Sequence, residues 1–302
     1  MTRRTQGAPA LARLHPTIAV LQVLPCHDHF DTPDGPCRGL LAGCWHRAQE
    51  PATEDEEHAL TKQRFIVGTS GAYHPGTRCD VEYGPLAAYA VELSGATGRP
   101  KVGYLATASG DQKARIAERA EAARLRGWEF NPLTCFMMPN VEDPEEYLLD
   151  QDVIWVDGGS VVNLLAVWRA HGLDEIMRKA WEKGIVLAGV SAGSMCWHRG
   201  GATDSFGPTL RVQTNGLGLL PYGNGVHYGV NPMRRELIQQ SVADGTFERA
   251  YSSEDGIALV YEGTELTEVL SDRDGVQGWH TFRDGDRVVE EPMAPRRLPD
   301  NL

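Results

Sequence analysis

Ile185-Val186-Leu187-Ala188-Gly189-Val190-Ser191-Ala192-Gly193-Ser194 is an apolar run of strand length that breaks at once into small residues around a single serine. A buried strand that delivers a serine to a sharp turn with glycines on either side, and a helix directly after it, is the sequence form of a nucleophile elbow. In such a turn the serine hydroxyl stands above a parallel sheet, and the glycines permit close packing of strand and helix. Ser194-Met195-Cys196-Trp197 supplies the expected helix start. Gly-x-Ser-x-Gly arises by chance in a chain with 33 glycines, so the setting of the motif carries more weight than the motif.

Outward from this strand the chain alternates apolar runs with amphipathic segments. Phe65–Gly68, Lys101–Ala106 and Val153–Val156 read as buried strands, with helices expected over Pro85–Leu93, Gln112–Arg126, Val161–His171 and Leu173–Lys183. Strand and helix in this order imply a mostly parallel sheet with helices on both faces. After the elbow helix, Leu217–Pro221 begins a loop-rich return, and Pro232–Ala243 reads as a helix. Short strands at Gly256–Tyr261, Leu266–Leu270 and Val288–Val289 are expected as an antiparallel edge of the same sheet.

Residues 1–60 differ in character. They are rich in Pro and Gly and end in the acidic run Glu50-Pro51-Ala52-Thr53-Glu54-Asp55-Glu56-Glu57, so they read as a partly disordered N-terminal extension with a solvated linker, and 61–302 as the folded domain. Cys26-His27-Asp28-His29, with Cys37, Cys44 and His46, gathers metal-ligand residue types without a recurrent zinc spacing, and reads as loop. The six cysteines form no dense disulfide pattern and are expected as thiols.

A net charge of −12 disfavours nucleic acid and anionic membranes as partners, since both demand clustered Lys and Arg. No apolar stretch reaches the roughly 18–20 residues of a membrane span. Arg13, His15 and Pro16 interrupt the one N-terminal run that resembles a secretion signal, so a cytoplasmic protein is expected.

A serine hydroxyl needs a base, usually a histidine oriented by a carboxylate. His227, in the glycine-rich run Gly223-Asn224-Gly225-Val226-His227-Tyr228, is placed best, with His280 as competitor. His198 is expected to project from the elbow helix toward Asp204 or solvent, and His74 to line a pocket. Glu254, Asp255 and Asp204 are all open as the acid. The oxyanion donors expected are the amide of Ala192 and one from Asp157-Gly158-Gly159-Ser160, a turn that opens a helix.

The run Val153–Ser160 with Asn163-Leu164-Leu165, Gly172-Leu173-Asp174, Gly184–Ser194, Thr203-Asp204-Ser205-Phe206-Gly207, Gly216–Pro221 and His227-Tyr228 resembles the peptidase E (aspartyl dipeptidase) and cyanophycinase-like serine peptidases over roughly residues 62–290. The resemblance implies a three-layer α/β/α sandwich of the class I glutamine amidotransferase-like type, with flavodoxin-like topology. It also implies Ser191 as nucleophile and His227 as base, with an acid near Glu254-Asp255 and Asp204 as the other candidate. Gly159 and Ala192 would be the oxyanion donors, with no metal or organic cofactor. The substrate implied is a short peptide, and a homodimer is left open. Gly229 stands where many relatives carry Asp, and Arg211, Arg234 and Arg235 are candidates to hold a substrate carboxylate. Two other readings stay open: an α/β-hydrolase esterase built from Ser191, Asp255 and His280, and a non-catalytic binding protein on the same scaffold.

Overall fold

The computed structural model describes residues 63–302; the N-terminal extension and its Cys/His segment lie outside them. Along the first half run β1 (Phe65–Thr69), β2 (Tyr73–Pro75), β3 (Val81–Tyr83), α1 (Pro85–Glu92), β4 (Lys101–Leu105), α2 (Lys113–Leu125), β5 (Glu129–Leu133), α3 (Pro144–Leu149), β6 (Val153–Val156), α4 (Val161–His171), α5 (Leu173–Glu182) and β7 (Val186–Val190). Strands β5, β4, β6, β7 and β1 lie side by side, all parallel.

Alternation along β6 shows how the sheet is covered. Val153 and Trp155 pack with Leu86 and Ala90 of α1 and Ala122 of α2, whereas Ile154 and Val156 pack with Leu164 and Trp168 of α4 and Met177 of α5. Both faces of the strand are buried, which is why it reads as four apolar residues with no polar partner. Helix α5 turns Leu173, Ile176, Met177, Ala180 and Trp181 inward at helical spacing, and burial of each large side chain contributes roughly 1.5–3 kcal/mol. Ser160 caps α4 by accepting from the Asn163 N–H, and Gly172 (φ +70°) ends that helix and starts the next.

The second half holds α6 (Ala192–Met195), β8 (His198–Thr203), β9 (Arg211–Gln213), β10 (Leu220–Gly225), α7 (Pro232–Ala243), β11 (Arg249–Ser253), β12 (Ile257–Glu262), β13 (Glu265–Ser271), β14 (Gly278–Asp284), β15 (Arg287–Met293) and β16 (Arg296–Arg297). The larger sheet has the order β16-β13-β12-β1-β7-β6-β4-β5, with β12 antiparallel to β1 and β13 antiparallel to β12. The fold is thus mixed α/β with a large, mostly parallel sheet. A smaller sheet has the order β15-β14-β11-β10-β8-β9.

Three expectations change. The late strands divide: β12 and β13 form the antiparallel edge, but β14 and β15 belong to the smaller sheet. The segment read as a loop-rich return contains β10, and the elbow helix is a single turn that gives way to β8. Glycines hid these strands from sequence patterning, and packing explains them. A Cβ at Gly200 or Gly201 would collide with Gln213 O or Asn224 O of a neighbouring strand, and one at Gly223 with the Phe247 ring. Among the described residues no helix is long and apolar enough to cross a membrane.

Candidate active site

Ser191 ends β7 with φ +57° and ψ −109°, a conformation that a non-glycine residue adopts only when its surroundings hold it. Its N–H donates to Thr69 O of β1 (2.8 Å), and its own carbonyl accepts from Ser194 and Met195 (3.0 and 2.9 Å). The two glycines of the motif are required by space. A side chain at Gly189 or Gly193 would collide with Val156 O of the adjacent strand, so the turn is pressed onto the sheet.

His227 follows β10 and Asp255 follows β11, a strand parallel to β10, so both side chains emerge at carboxyl ends of strands, as Ser191 does. His227 Nε2 lies 2.9 Å from Ser191 Oγ, and Nδ1 lies 2.6 Å from Asp255 Oδ1. With Nδ1–H donated to the carboxylate, Nε2 is left as the acceptor for the serine hydroxyl proton. Asp255 is held below the usual carboxylate range, first by the hydrogen bond from His227 and then by the charges of His227, Arg273 and Arg234, against the opposing effect of burial.

His227 itself has φ +53°. Its N–H donates to Ser70 Oγ (2.9 Å), and that hydroxyl also contacts Ser253 O and Ser253 Oγ at 2.8 and 2.7 Å. Ser70, just after β1, therefore ties the backbone of His227 to both sheets. Sequence reasoning missed it, because nothing local distinguishes a serine after a buried strand.

The other expected acids stand apart from His227. Glu254 accepts from Gln277 N (3.1 Å) and Trp279 Nε1 (3.0 Å), which turns its carboxylate toward β14. Asp204 pairs with Arg234 at 3.4 Å, while Arg234 also donates to Ala202 O. A side chain at Gly229 would face the Glu254 carboxyl at 3.4 Å, so an acid at that position would meet a like charge in this chain.

His280 is not beside Ser191. It lies in β14, stacked on Tyr251 (4.8 Å) and Phe282 (4.6 Å), and lines a cavity of about 610 Å³ with Arg199 and Arg249 at the end of β11 opposite Asp255. The esterase constellation of Ser191, Asp255 and His280 is therefore not assembled. His198 does not project outward: it opens β8, is fully buried, donates from Nδ1 to Ser194 O (2.9 Å) and accepts at Nε2 from Tyr261 (3.1 Å). Burial lowers it to about 4, so it is neutral at physiological pH. His74 contacts Asp272 at 2.6 Å.

Among the described residues neither amide expected as an oxyanion donor has an acceptor. Ala192 N–H, at the first turn of α6, has no acceptor within the helix. In the loop after β6, Gly158 N–H donates to Asp157 Oδ1 and Ser160 N–H to Ala108 O (both 2.8 Å), whereas Gly159 N–H, between them, meets no acceptor among the described residues. Gly159 has φ +143° and no room for a Cβ, which would collide with Ala108 O. Of the three arginines considered for a substrate carboxylate, Arg235 pairs with Glu290 and Arg211 lies over the Phe206 ring at 5.4 Å. Arg234, the third, is the one whose charge reaches Asp255. Among the described residues no three His, Cys, Asp or Glu side chains converge as a metal site.

Comparison with known proteins gives concordant matches. The sequence model of peptidase family S51 matches residues 82–269. The uncharacterized peptidase YgaJ of Bacillus subtilis (strain 168) is 32% identical over 200 residues, which cover 66% of this chain and 86% of that protein. The crystal structure of a peptidase from an acI-B1 Actinobacterium superposes with a TM-score of 0.56 at 18% identity, over 78% of this chain and 96% of that one, a likeness of fold.

Proposed function

The chain belongs to peptidase family S51, and we propose that within it this protein is a serine-type exopeptidase that hydrolyses short peptides. The observation that carries the reading is the unbroken line from Asp255 through His227 to Ser191, at 2.6 and 2.9 Å. In this reading His227 removes the Ser191 proton as Oγ attacks the scissile carbonyl, and Asp255 stabilises the imidazolium that forms. The Ala192 and Gly159 amides receive the developing oxyanion, where removal of one donor costs about 10²–10³ in rate. His227 then protonates the leaving amine, and water, activated by the same imidazole, releases the acyl group.

The helix-bearing faces on either side of the parallel strands support the three-layer, amidotransferase-like reading of the fold. A dipeptidase preference rests on the resemblance to peptidase E. The test is a dipeptide-library screen, comparing Asp-X with neutral and basic N-termini, on the wild type and on Ser191→Ala. The variant should fold and lose hydrolysis by at least about 10⁴-fold. Full activity in Ser191→Ala, or no phosphonylation of wild-type Ser191 by a fluorophosphonate, overturns the assignment; the latter in a folded sample is the behaviour of a binding protein on this scaffold.

A further inference from the structure

We infer that Arg115 is a positioning residue that aims the Gly159 amide at the oxyanion site, an inference that rests on the serine-peptidase reading. Arg115 lies in the first turn of α2, far in sequence from the Gly158-Gly159 turn, and its Nη1 donates to Gly158 O at 3.1 Å. Gly158 C=O and Gly159 N–H belong to one peptide unit, and in a trans peptide the two point to opposite sides. A guanidinium on the carbonyl therefore fixes where the N–H points. The unit has no side chain to hold it, and its two glycines would otherwise sample many orientations.

The guanidinium is itself anchored. Asp157, 2% exposed, accepts from Tyr104 (2.6 Å), Tyr73 (3.2 Å) and Gly158 N–H (2.8 Å), and its second oxygen lies 3.5 Å from Arg115 Nη1. Tyr73 accepts in turn from Trp155 Nε1 (2.8 Å), and Arg119 lies over the Tyr73 ring at 3.9 Å. One buried carboxylate thus holds the amide on one side of Gly158 and the arginine that holds its carbonyl on the other. The turn also abuts the nucleophile, since a Cβ at Gly158 would stand 3.4 Å from Ser191 Cβ. The polar contacts of Arg115 among the described residues are with Gly158 O and Asp157, not with His227 or Asp255, so it can act on the oxyanion donor without changing the base.

The experiment measures phosphonylation of Ser191 by a fluorophosphonate, whose phosphoryl oxygen enters the oxyanion site, with the full chain as wild type, Arg115→Ala and Arg115→Lys. Misaiming a donor costs less than deleting one, so Arg115→Ala should lower the maximal inactivation rate by about 10–100-fold, with half-saturating probe concentration and the pH midpoint of labelling unchanged. Arg115→Lys keeps a cation and a donor but not the rigid, planar guanidinium whose Nη1 meets both Gly158 O and Asp157, and should give an intermediate rate. A merely structural role would instead move half-saturation, pH midpoint and thermal unfolding together. If Arg115→Ala does not fold, Arg115→Lys carries the test. A wild-type rate in the folded variant, or a loss that follows a displaced pH midpoint, overturns the inference alone. Absence of wild-type labelling overturns the serine reading and this inference with it.

Discussion

Asp255→Asn tests the proposed acid. The carboxylate lies 2.6 Å from His227 Nδ1, a charge-assisted contact. Hydrogen bonds to charged groups contribute roughly 1.5–3 kcal/mol, and at 1.36 kcal/mol per tenfold this alone is about 10–150-fold in rate. Asparagine adds a second defect: if its amide NH₂ faces Nδ1, the imidazole carries its proton on Nε2 and presents no lone pair to Ser191. In a buried Ser-His-Asp site that substitution costs about 10⁴. The Asp255 side chain is 44% exposed, so water replaces part of what is lost, and the expected fall in kcat is about 10²–10³. Glu254→Gln is the matched control. Its carboxylate serves Gln277 and Trp279, and an amide oxygen can still accept from one of them, so activity should stay within about threefold of wild type. Both variants are assayed by peptide turnover and by the rate of Ser191 phosphonylation, with thermal unfolding as the check on folding. Equal losses in the two variants, or the larger loss in Glu254→Gln, would refute the reasoning. The pH dependence follows in sign. A carboxylate held below its ordinary value gives stability present above that value, about 3.9, and lost as pH falls through the folded one. A loss of activity above pH 4 therefore does not belong to Asp255.

Gly159→Ala should lower the phosphonylation rate by at least about 10²-fold and destabilise the protein by about 1–3 kcal/mol, because φ +143° and the contact with Ala108 O both exclude a Cβ; a wild-type rate with unchanged unfolding temperature would count against the turn as drawn. Ser70→Ala removes the acceptor of the His227 N–H and leaves a backbone donor unpaired, at about 1–3 kcal/mol. Its kcat should fall by about tenfold with KM unchanged, since the shifted group is the base and not the peptide-binding surface. His198, lowered by burial to about 4 from an ordinary 6.5, stabilises the fold above pH 6.5, and that contribution is lost as pH falls toward 4, up to about 3 kcal/mol. Urea unfolding of wild type and His198→Gln at pH 7 and pH 4.5 should show a smaller pH-linked loss in the variant; identical losses would mean that burial does not lower the pKa of this imidazole.

What could be read in the sequence was what one segment imposes on itself. Val153–Val156 and Leu173–Glu182 carry their periodicity in their own residues, because each buries a continuous apolar face, and their limits lie within a residue of expectation. β8 and β10 carry no such signal, because Gly200 and Gly201 are demanded by the backbones of neighbouring strands and Gly223 by the Phe247 ring, and from a single segment such glycines look like turn residues. The site divides along the same line. Ser191 is announced by a turn that needs small residues at fixed offsets, and His227 by the glycine-rich run that precedes it. Glu254 and Asp255 are adjacent and chemically equivalent, and which one meets His227 is decided by Trp279 of β14 capturing the first. Ser70 and Arg115 act through a backbone amide and a backbone carbonyl of remote residues, and no residue pattern encodes the partner of a backbone atom. Ser191 and His227 leave a local trace because the chain distorts to present them, whereas Ser70 and Arg115, which meet remote backbone atoms, leave none. The second set is therefore where a structure adds most to a sequence already recognised as a peptidase.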